Sequence, residues 1–281
     1  MIEMPELPEV ETIVRTLRPK LAGLTFTGAN VTLEKIISQP APVSLFTEQI
    51  TGKRILQINR RGKYLLFSLS DGLCLLFHLR MTGNLLYRQE DQPIDKYTHL
   101  ILYLDNRFQL RYADMRQFGR IWLQPAASLP ELTGFAGLGI EPLDDAFTNR
   151  YLSNKLSQRH SRIKPLLLDQ TFIAGLGNIY ADEALFRAGI NPETHGSDIS
   201  ELMAADLHHS IREVLQEGIA NRGTTIRDYK DGDGLAGKNQ DSLRVYGKEG
   251  KPCQRCGNAI VRKKIGGRSS FFCPNCQVGR E

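Results

Sequence analysis

Four of the five cysteines stand as Cys253-x2-Cys256 and Cys273-x2-Cys276, with sixteen residues between the pairs. Each C-x2-C can turn two thiolates to one side of a tight turn. Two such pairs at this separation are the spacing of a tetrahedral four-cysteine zinc site. The expected ligands of one structural Zn2+ are therefore Cys253, Cys256, Cys273 and Cys276. Between them, Ala259–Val261 and Ser269–Phe272 read as two short strands joined by Lys263-Lys264-Ile265-Gly266-Gly267-Arg268, a zinc ribbon with a basic fingertip. So short a segment cannot bury a core of its own, so the metal must staple it. Its basic tip suits phosphates. Cys74 lies in an apolar strand and reads as core packing.

Other residues could meet an anion. Arg60-Arg61-Gly62-Lys63-Tyr64 puts three cations around one glycine at the lip of a strand. Asn178 follows Gly175-x-Gly177 and opens a helix, where free amides and the helix dipole favour a phosphate. Asparagine also caps helices well, and both roles can hold at once. Arg159 and the run Arg162-Ile163-Lys164-Pro165 add further cations.

The elements that must carry these groups follow from periodicity. Val10, Ile13, Val14, Leu17 and Leu21 recur at helical intervals, and Gly23 stops a helix over Leu7 to Leu21. From Arg54 to Leu123 the period is two: Ile55–Ile58, Tyr64–Leu69, Leu73–Leu79, Leu100–Leu104, Phe108–Tyr112 and Ile121–Leu123 read as strands. Asp71-Gly72 and Asp105-Asn106 are hairpin turns between them. Antiparallel strands with tight turns predict a β-sandwich or barrel. Proline and glycine gather between Pro125 and Pro142, which marks a boundary. Helices are predicted at Asn149–Leu156, Leu166–Gln170, Ile179–Ala188 and Leu202–Ile219, followed by a loop from Arg222 to Asp241 rich in glycine, lysine and aspartate.

The 281 residues carry 36 basic and 31 acidic side chains, a net charge of +5. The sum is modest but uneven. Residues 244–281 hold nine basic and two acidic groups, and the remaining 243 hold 27 and 29. Positive charge is thus concentrated on the cysteine-bearing tail. No run of about 18 uncharged apolar residues exists to span a membrane. Met1-Ile2-Glu3-Met4-Pro5-Glu6 has neither the basic flank nor the apolar stretch of a secretory signal. The expected compartment is the reducing cytoplasm, where thiols serve metals rather than disulfides.

Three segments together resemble one family. Met4-Pro5-Glu6-Leu7-Pro8-Glu9-Val10-Glu11-Thr12 is similar to the N-terminus of bacterial formamidopyrimidine-DNA glycosylases. Gly175-Leu176-Gly177-Asn178-Ile179-Tyr180-Ala181-Asp182-Glu183 resembles their helix–two-turn–helix motif. Gly267-Arg268-Ser269-Ser270-Phe271-Phe272-Cys273 resembles their zinc finger. The resemblance covers essentially the whole chain in the right order. It implies an α+β, multidomain chain: an N-terminal antiparallel β-sandwich with flanking helices over 1–135, a helical helix–two-turn–helix domain over 136–243 that includes a lesion loop at 222–241, and a terminal zinc ribbon over 244–278. The implied activity is excision of oxidised purines from double-stranded DNA, opposite cytosine, followed by strand cleavage at the abasic sugar, by a monomer.

The resemblance also implies roles. Pro5 would supply the attacking amine. A secondary amine condensed with the sugar C1′ gives a permanently cationic iminium, an electron sink that labilises the C2′ proton. Glu6 would donate a proton that opens the deoxyribose ring. Lys63 would act as a general acid and phosphate contact. Arg268 would grip phosphates beside the lesion, and a guanidinium contributes there chiefly as fixed charge. Arg159, Lys164 and Asn178 match the family's phosphate-binding positions, and Tyr97 and His99 fall where it carries DNA-contacting histidines. Tyr97 keeps a donor there but loses a possible cation. Glu9 is expected to orient backbone amides at the helix start.

A base must leave the duplex to be excised. By resemblance Met81 fills the void, Phe118 wedges between bases and Arg116 donates to the widowed cytosine. Gln117 replaces a cation found in some relatives, and Lys238-Asn239-Gln240-Asp241-Ser242 departs from the family pattern. Three residues precede Met4, which makes Pro5 an internal amide as written. The expectation is initiation at Met4 and removal of that methionine. The alternatives are an endonuclease VIII-type enzyme for oxidised pyrimidines, or an inactive damaged-DNA-binding homologue if Pro5 is not exposed.

Overall fold

The computed structural model describes residues 4–278, in two compact units. The Met1-Ile2-Glu3 extension lies outside the described residues. Among the described residues the first unit comprises 4–136 and 221–238, and the second 137–220 and 239–278.

The first unit opens with helix α1 (Leu7–Leu21), whose Val10, Ile13, Val14, Leu17 and Leu21 are fully buried. Burying each such aliphatic side chain stabilises the fold by about 1.5–3 kcal/mol. Strands β1 (Phe26–Val31) and β2 (Ile37–Gln39) and helix α2 (Val43–Ile50) follow. Then come β3 (Ile55–Arg61), β4 (Tyr64–Leu69), β5 (Leu73–His78), β6 (Gly83–Gln89), β7 (Thr98–Leu104), β8 (Phe108–Asp114) and β9 (Arg120–Pro125). They form a four-stranded sheet, β1-β7-β8-β6, and a five-stranded sheet, β2-β9-β5-β4-β3. Phe67, Leu75, Phe77 and Leu123 of one sheet join Phe26, Leu85, Leu102 and Leu110 of the other in a single core. This is the expected sandwich, with one departure from an antiparallel arrangement: β2 runs parallel to β9, pairing Ile37 with Ile121.

Periodicity alone did not reveal β1, β2, α2 or β6. Strand β6 begins Gly83-Asn84 and buries Leu85 and Leu86 side by side, so it lacks clean alternation.

The second unit holds α3 (Asn149–Leu156), α4 (Ile163–Leu168), α5 (Asn178–Ala188), α6 (Glu201–Ala220) and the ribbon strands β10 (Val261–Ile265) and β11 (Arg268–Phe272). Helix α4 starts three residues before its expected Leu166, because Pro165 is tolerated in a first turn, where its missing N–H has no partner to lose. The ribbon turn is only Gly266-Gly267, both at positive φ (55° and 80°). The broad basic fingertip expected over 263–268 therefore contracts. Lys263 and Lys264 lie on β10, and Arg268 pairs with Ile265 beside the turn.

One grouping changes. The loop expected with the helical domain has its 221–238 portion in the first unit. The amide of Gly232 donates to Thr16 Oγ1 of α1 at 3.1 Å, and the amide of Tyr87 on β6 donates to Gly232 O at 2.9 Å. Glycine permits this approach, because a Cβ at position 232 would lie 2.6 Å from Leu17. The ribbon, expected as a separate module, shares the second unit with the helices.

Candidate active site and nucleic-acid interface

In the first unit the chemistry gathers around the start of α1. Pro5 is buried just ahead of the helix, and Glu6 is its N-cap. Glu6 and Glu9 form a capping box, with the Glu6 amide donating to Glu9 Oε2 at 2.8 Å. The other oxygen, Oε1, accepts the Thr224 amide at 2.7 Å, and the Tyr229 hydroxyl donates to Glu9 O at 3.2 Å. Glu9 thus orients backbone at the helix start, and also holds a distant loop there.

Lys63 follows Gly62 (φ 55°) in the β3–β4 turn, and its side chain is buried. Arg60 braces that turn, donating to Gly62 O at 3.0 Å and Glu11 Oε2 at 3.1 Å. Sequence reasoning missed His78, at the end of β5. It is buried edge-on against Tyr64, with ring centroids 4.6 Å apart. Burial, then the positive charges of Arg80 and Lys63, push its pKa down to about 3, so the ring is neutral. The Arg80 amide donates to its Nδ1 at 3.2 Å, which places the ring proton on Nε2. A histidine beside clustered cations was the available signal.

Met81, Arg116 and Phe118 come from two separate turns and meet. Arg116 Nη1 lies 3.2 Å from Met81 Sδ, and the guanidinium sits 4.8 Å over the Phe118 ring. Phe118 is 46% exposed. Asp114, also missed from sequence, builds the turn. Its Oδ1 accepts Thr82 Oγ1 and the Arg116 amide, and its Oδ2 accepts the Gly119 amide and the Tyr112 hydroxyl. Tyr97 is exposed, and its carbonyl accepts the Asp114 amide at 2.9 Å. His99 is half-buried, with Nε2 3.0 Å from Asp114 O, so this nitrogen positions the turn.

In the second unit Asn178 is the first residue of α5, behind Gly177 as N-cap. Its amide group donates to Ser269 O at 3.1 Å and Tyr246 Oη at 3.3 Å, which ties the helix start to β11. Arg268 and Arg159 are exposed. Lys164 is not. Expected among the phosphate contacts, it is fully buried and ion-paired with buried Asp182, with Asn178 O 3.5 Å from its ammonium. Burial pushes the Asp182 carboxyl up to about 7, against the pull of Lys164. Asp182 Oδ2 accepts the Phe271 amide at 3.0 Å. The Lys164 ammonium therefore organises the α4–α5–β11 junction rather than facing solvent.

The four expected zinc ligands converge. Their sulfurs all lie within 4.8 Å of one another, with Cys253–Cys276 at 3.9 Å and Cys256–Cys273 at 3.4 Å. Zinc–sulfur bonds of about 2.3 Å in a tetrahedron set sulfurs about 3.8 Å apart, so the donor set fits Zn2+. Such a metal supplies structure only, because four thiolates leave no open position. Arg255, inside the first knuckle, donates to Phe186 O at 2.9 Å and Arg187 O at 3.0 Å, capping α5. Gln277, beside the second, donates to Ile190 O at 2.9 Å.

Three family models match in succession: the formamidopyrimidine-DNA glycosylase N-terminal domain over 4–121, the formamidopyrimidine-DNA glycosylase H2TH domain over 138–230, and the zinc finger found in FPG and IleRS over 250–278. The chain belongs to the formamidopyrimidine-DNA glycosylase family. The family comprises DNA-repair glycosylases with AP lyase activity. The enzyme of that name from Pelotomaculum thermopropionicum is 58% identical over 274 residues, covering 98% of this chain and 99% of its own. That from Desulforamulus reducens is 52% identical over 278 residues, covering 99% and 100%. Among solved structures, wild-type Lactococcus lactis Fpg in complex with an N7-benzyl-Fapy-dG DNA superposes with a TM-score of 0.91 at 39% identity, covering 98% of this chain and 100% of that one. The same protein with abasic-site DNA gives 0.91 at 38%, with the same coverage. Among the described residues no helix is long and apolar enough to cross a membrane.

Proposed function

We propose that this glycosylase removes 8-oxoguanine and formamidopyrimidines paired with cytosine, through an imine on Pro5, and then cuts the strand by β,δ-elimination. It acts as a cytoplasmic monomer with one structural zinc. The observation that carries the reading is the meeting of Met81, Arg116 and Phe118. A flexible thioether, a guanidinium and an exposed ring in contact are the parts needed to fill a void and hold an unpaired cytosine.

The Pro5 nitrogen attacks C1′, and the N-glycosidic bond breaks as the base leaves with a proton. Glu6 protonates the ring oxygen, C1′ opens, and an iminium remains. The C2′ proton is lost to solvent, its bonding pair flows into the iminium, and the C3′–O bond breaks to expel the 3′ phosphate; a second elimination, with loss of the C4′ proton, breaks C5′–O and expels the 5′ phosphate. Lys63 and Arg268 offset the phosphate charge through which those bonds break. Arg159 and Asn178 serve the flanking backbone, and Tyr97 and His99 line the same strand region.

An amide nitrogen is not nucleophilic, so the reading requires Pro5 to be released by loss of residues 1–4. Borohydride trapping on 8-oxoguanine duplex tests it. Chain beginning at Pro5 should become covalently linked, and chain retaining Met1 should bind the same duplex without an adduct. An adduct from protein whose intact mass includes residues 1–4 would remove Pro5 from the mechanism. Trapping only on oxidised pyrimidines would assign the chain to the endonuclease VIII type instead.

A further inference from the structure

The segment 221–238 carries no helix or strand, yet it is cross-linked from within. Arg222 sits at φ 61°, a left-handed conformation that costs a non-glycine residue about 1–2 kcal/mol. In that conformation its guanidinium turns back on Asp231. Nε donates to Asp231 Oδ2 at 3.0 Å, and Nη2 reaches the same oxygen. Asp231 is fully buried. Its other oxygen, Oδ1, accepts the amides of Asp233 at 2.9 Å and Leu235 at 3.0 Å. A buried carboxylate is tolerated only when its lone pairs are filled in this way.

The ion pair closes the base of a loop whose tip, Ile226-Arg227-Asp228, is exposed. Both limbs are also fastened to α1: Thr224 to the Glu9 carboxylate, Tyr229 to Glu9 O, and Gly232 to Thr16. The pair therefore sets the shape of the loop, and α1, which begins beside Pro5 and Glu6, sets its direction.

We propose that Arg222 and Asp231 are positioning residues that pre-form this loop for reading the damaged base. The inference rests on the glycosylase reading above and deepens it. A loop closed before DNA arrives loses less freedom on binding than one ordered by the substrate. An abasic sugar has no base to read, so cleavage there does not draw on the pair.

The test compares zinc-loaded chain beginning at Pro5 with its Asp231→Asn, Arg222→Gly and Arg222→Lys forms. Glycine adopts the required φ without strain, so Arg222→Gly keeps the backbone while removing the guanidinium. Each is assayed on a duplex with one 8-oxoguanine opposite cytosine, and on the same duplex with a pre-formed abasic site. Asp231→Asn and Arg222→Gly should lower kcat/KM for excision about tenfold, an effect expected of misplaced groups, and speed amide exchange at Asp233 and Leu235. Abasic cleavage should stay within about twofold. Arg222→Lys should restore most excision, because a single ammonium can serve the one oxygen on which both guanidinium nitrogens converge. Equal losses on both duplexes, or no loss on either, would overturn the proposal. Wild-type cleavage of abasic DNA without excision of any oxidised purine would overturn the substrate reading, and the proposal with it.

Discussion

The Glu9 carboxylate accepts the Thr224 amide at 2.7 Å across 215 residues of sequence, while its second oxygen caps its own helix through the Glu6 amide. One buried side chain thereby fixes both the helix start that presents Pro5 and the loop that follows α6. Neither amide has water to turn to if the carboxylate is lost, since Glu6, Glu9 and Thr224 are all buried.

Replacing Glu9 with Ala should therefore cost about 2–4 kcal/mol, the penalty for two stranded donors, with Gln intermediate. Urea unfolding measures it. A loss under about 0.5 kcal/mol would mean that the carboxylate does not carry both contacts.

His78 gives the protein an acid-sensitive limb. Its folded pKa is about 3, through burial and then repulsion from Arg80 and Lys63. An unfolded histidine titrates near about 6.5, so between these values the unfolded chain binds the extra proton. Stability should fall as pH drops through that window, by up to about 1.4 kcal/mol per pH unit from this residue. His78→Gln should flatten the slope. Parallel losses in both proteins between about pH 6.5 and pH 4.5 would exclude the residue as the cause.

Lys164 should behave as a buried partner and not as a phosphate contact. Lys164→Met alone strands the buried Asp182 carboxyl without its cation, so that it must take up a proton, at a cost of up to about 3–5 kcal/mol, and adding Asp182→Asn should recover most of it. In the folded double variant the slope of log K against log salt on duplex DNA should match wild type. A slope smaller by about 0.9 would count Lys164 among the phosphate contacts after all.

Zinc removal should reach beyond the ribbon. Arg255 and Gln277 fasten the knuckles to the C-terminal end of α5, and Asp182 fastens β11 to its middle. Metal analysis should give one zinc per chain. After chelation, amide exchange over 178–188 should accelerate together with exchange over 253–276, and DNA binding should fail with it. Continued protection of α5 in the metal-free protein would show that the ribbon is independent.

The sequence by itself determined what depends on near neighbours. The apolar stripe of α1 and the two C-x2-C pairs are local periods and spacings. The β4–β5 turn is equally local: Asp71-Gly72 joins two strands whose alternation is visible. Resemblance added Met81, Arg116 and Phe118 as a set, but not the Asp114 that brings their turns together. Tertiary structure alone decided the rest. Lys164 and Arg159 read alike as cations five residues apart, and only Asp182, brought in by α5, buries one and leaves the other exposed. The 221–238 loop follows a helix of the second unit in the chain but belongs with the first, because Glu9 and Thr16 accept its amides and the Tyr87 amide donates to its Gly232 carbonyl. Periodicity reports which face of an element is apolar. It does not report which distant donor or charge will be waiting there, and burial makes that partner decide what each polar side chain can do.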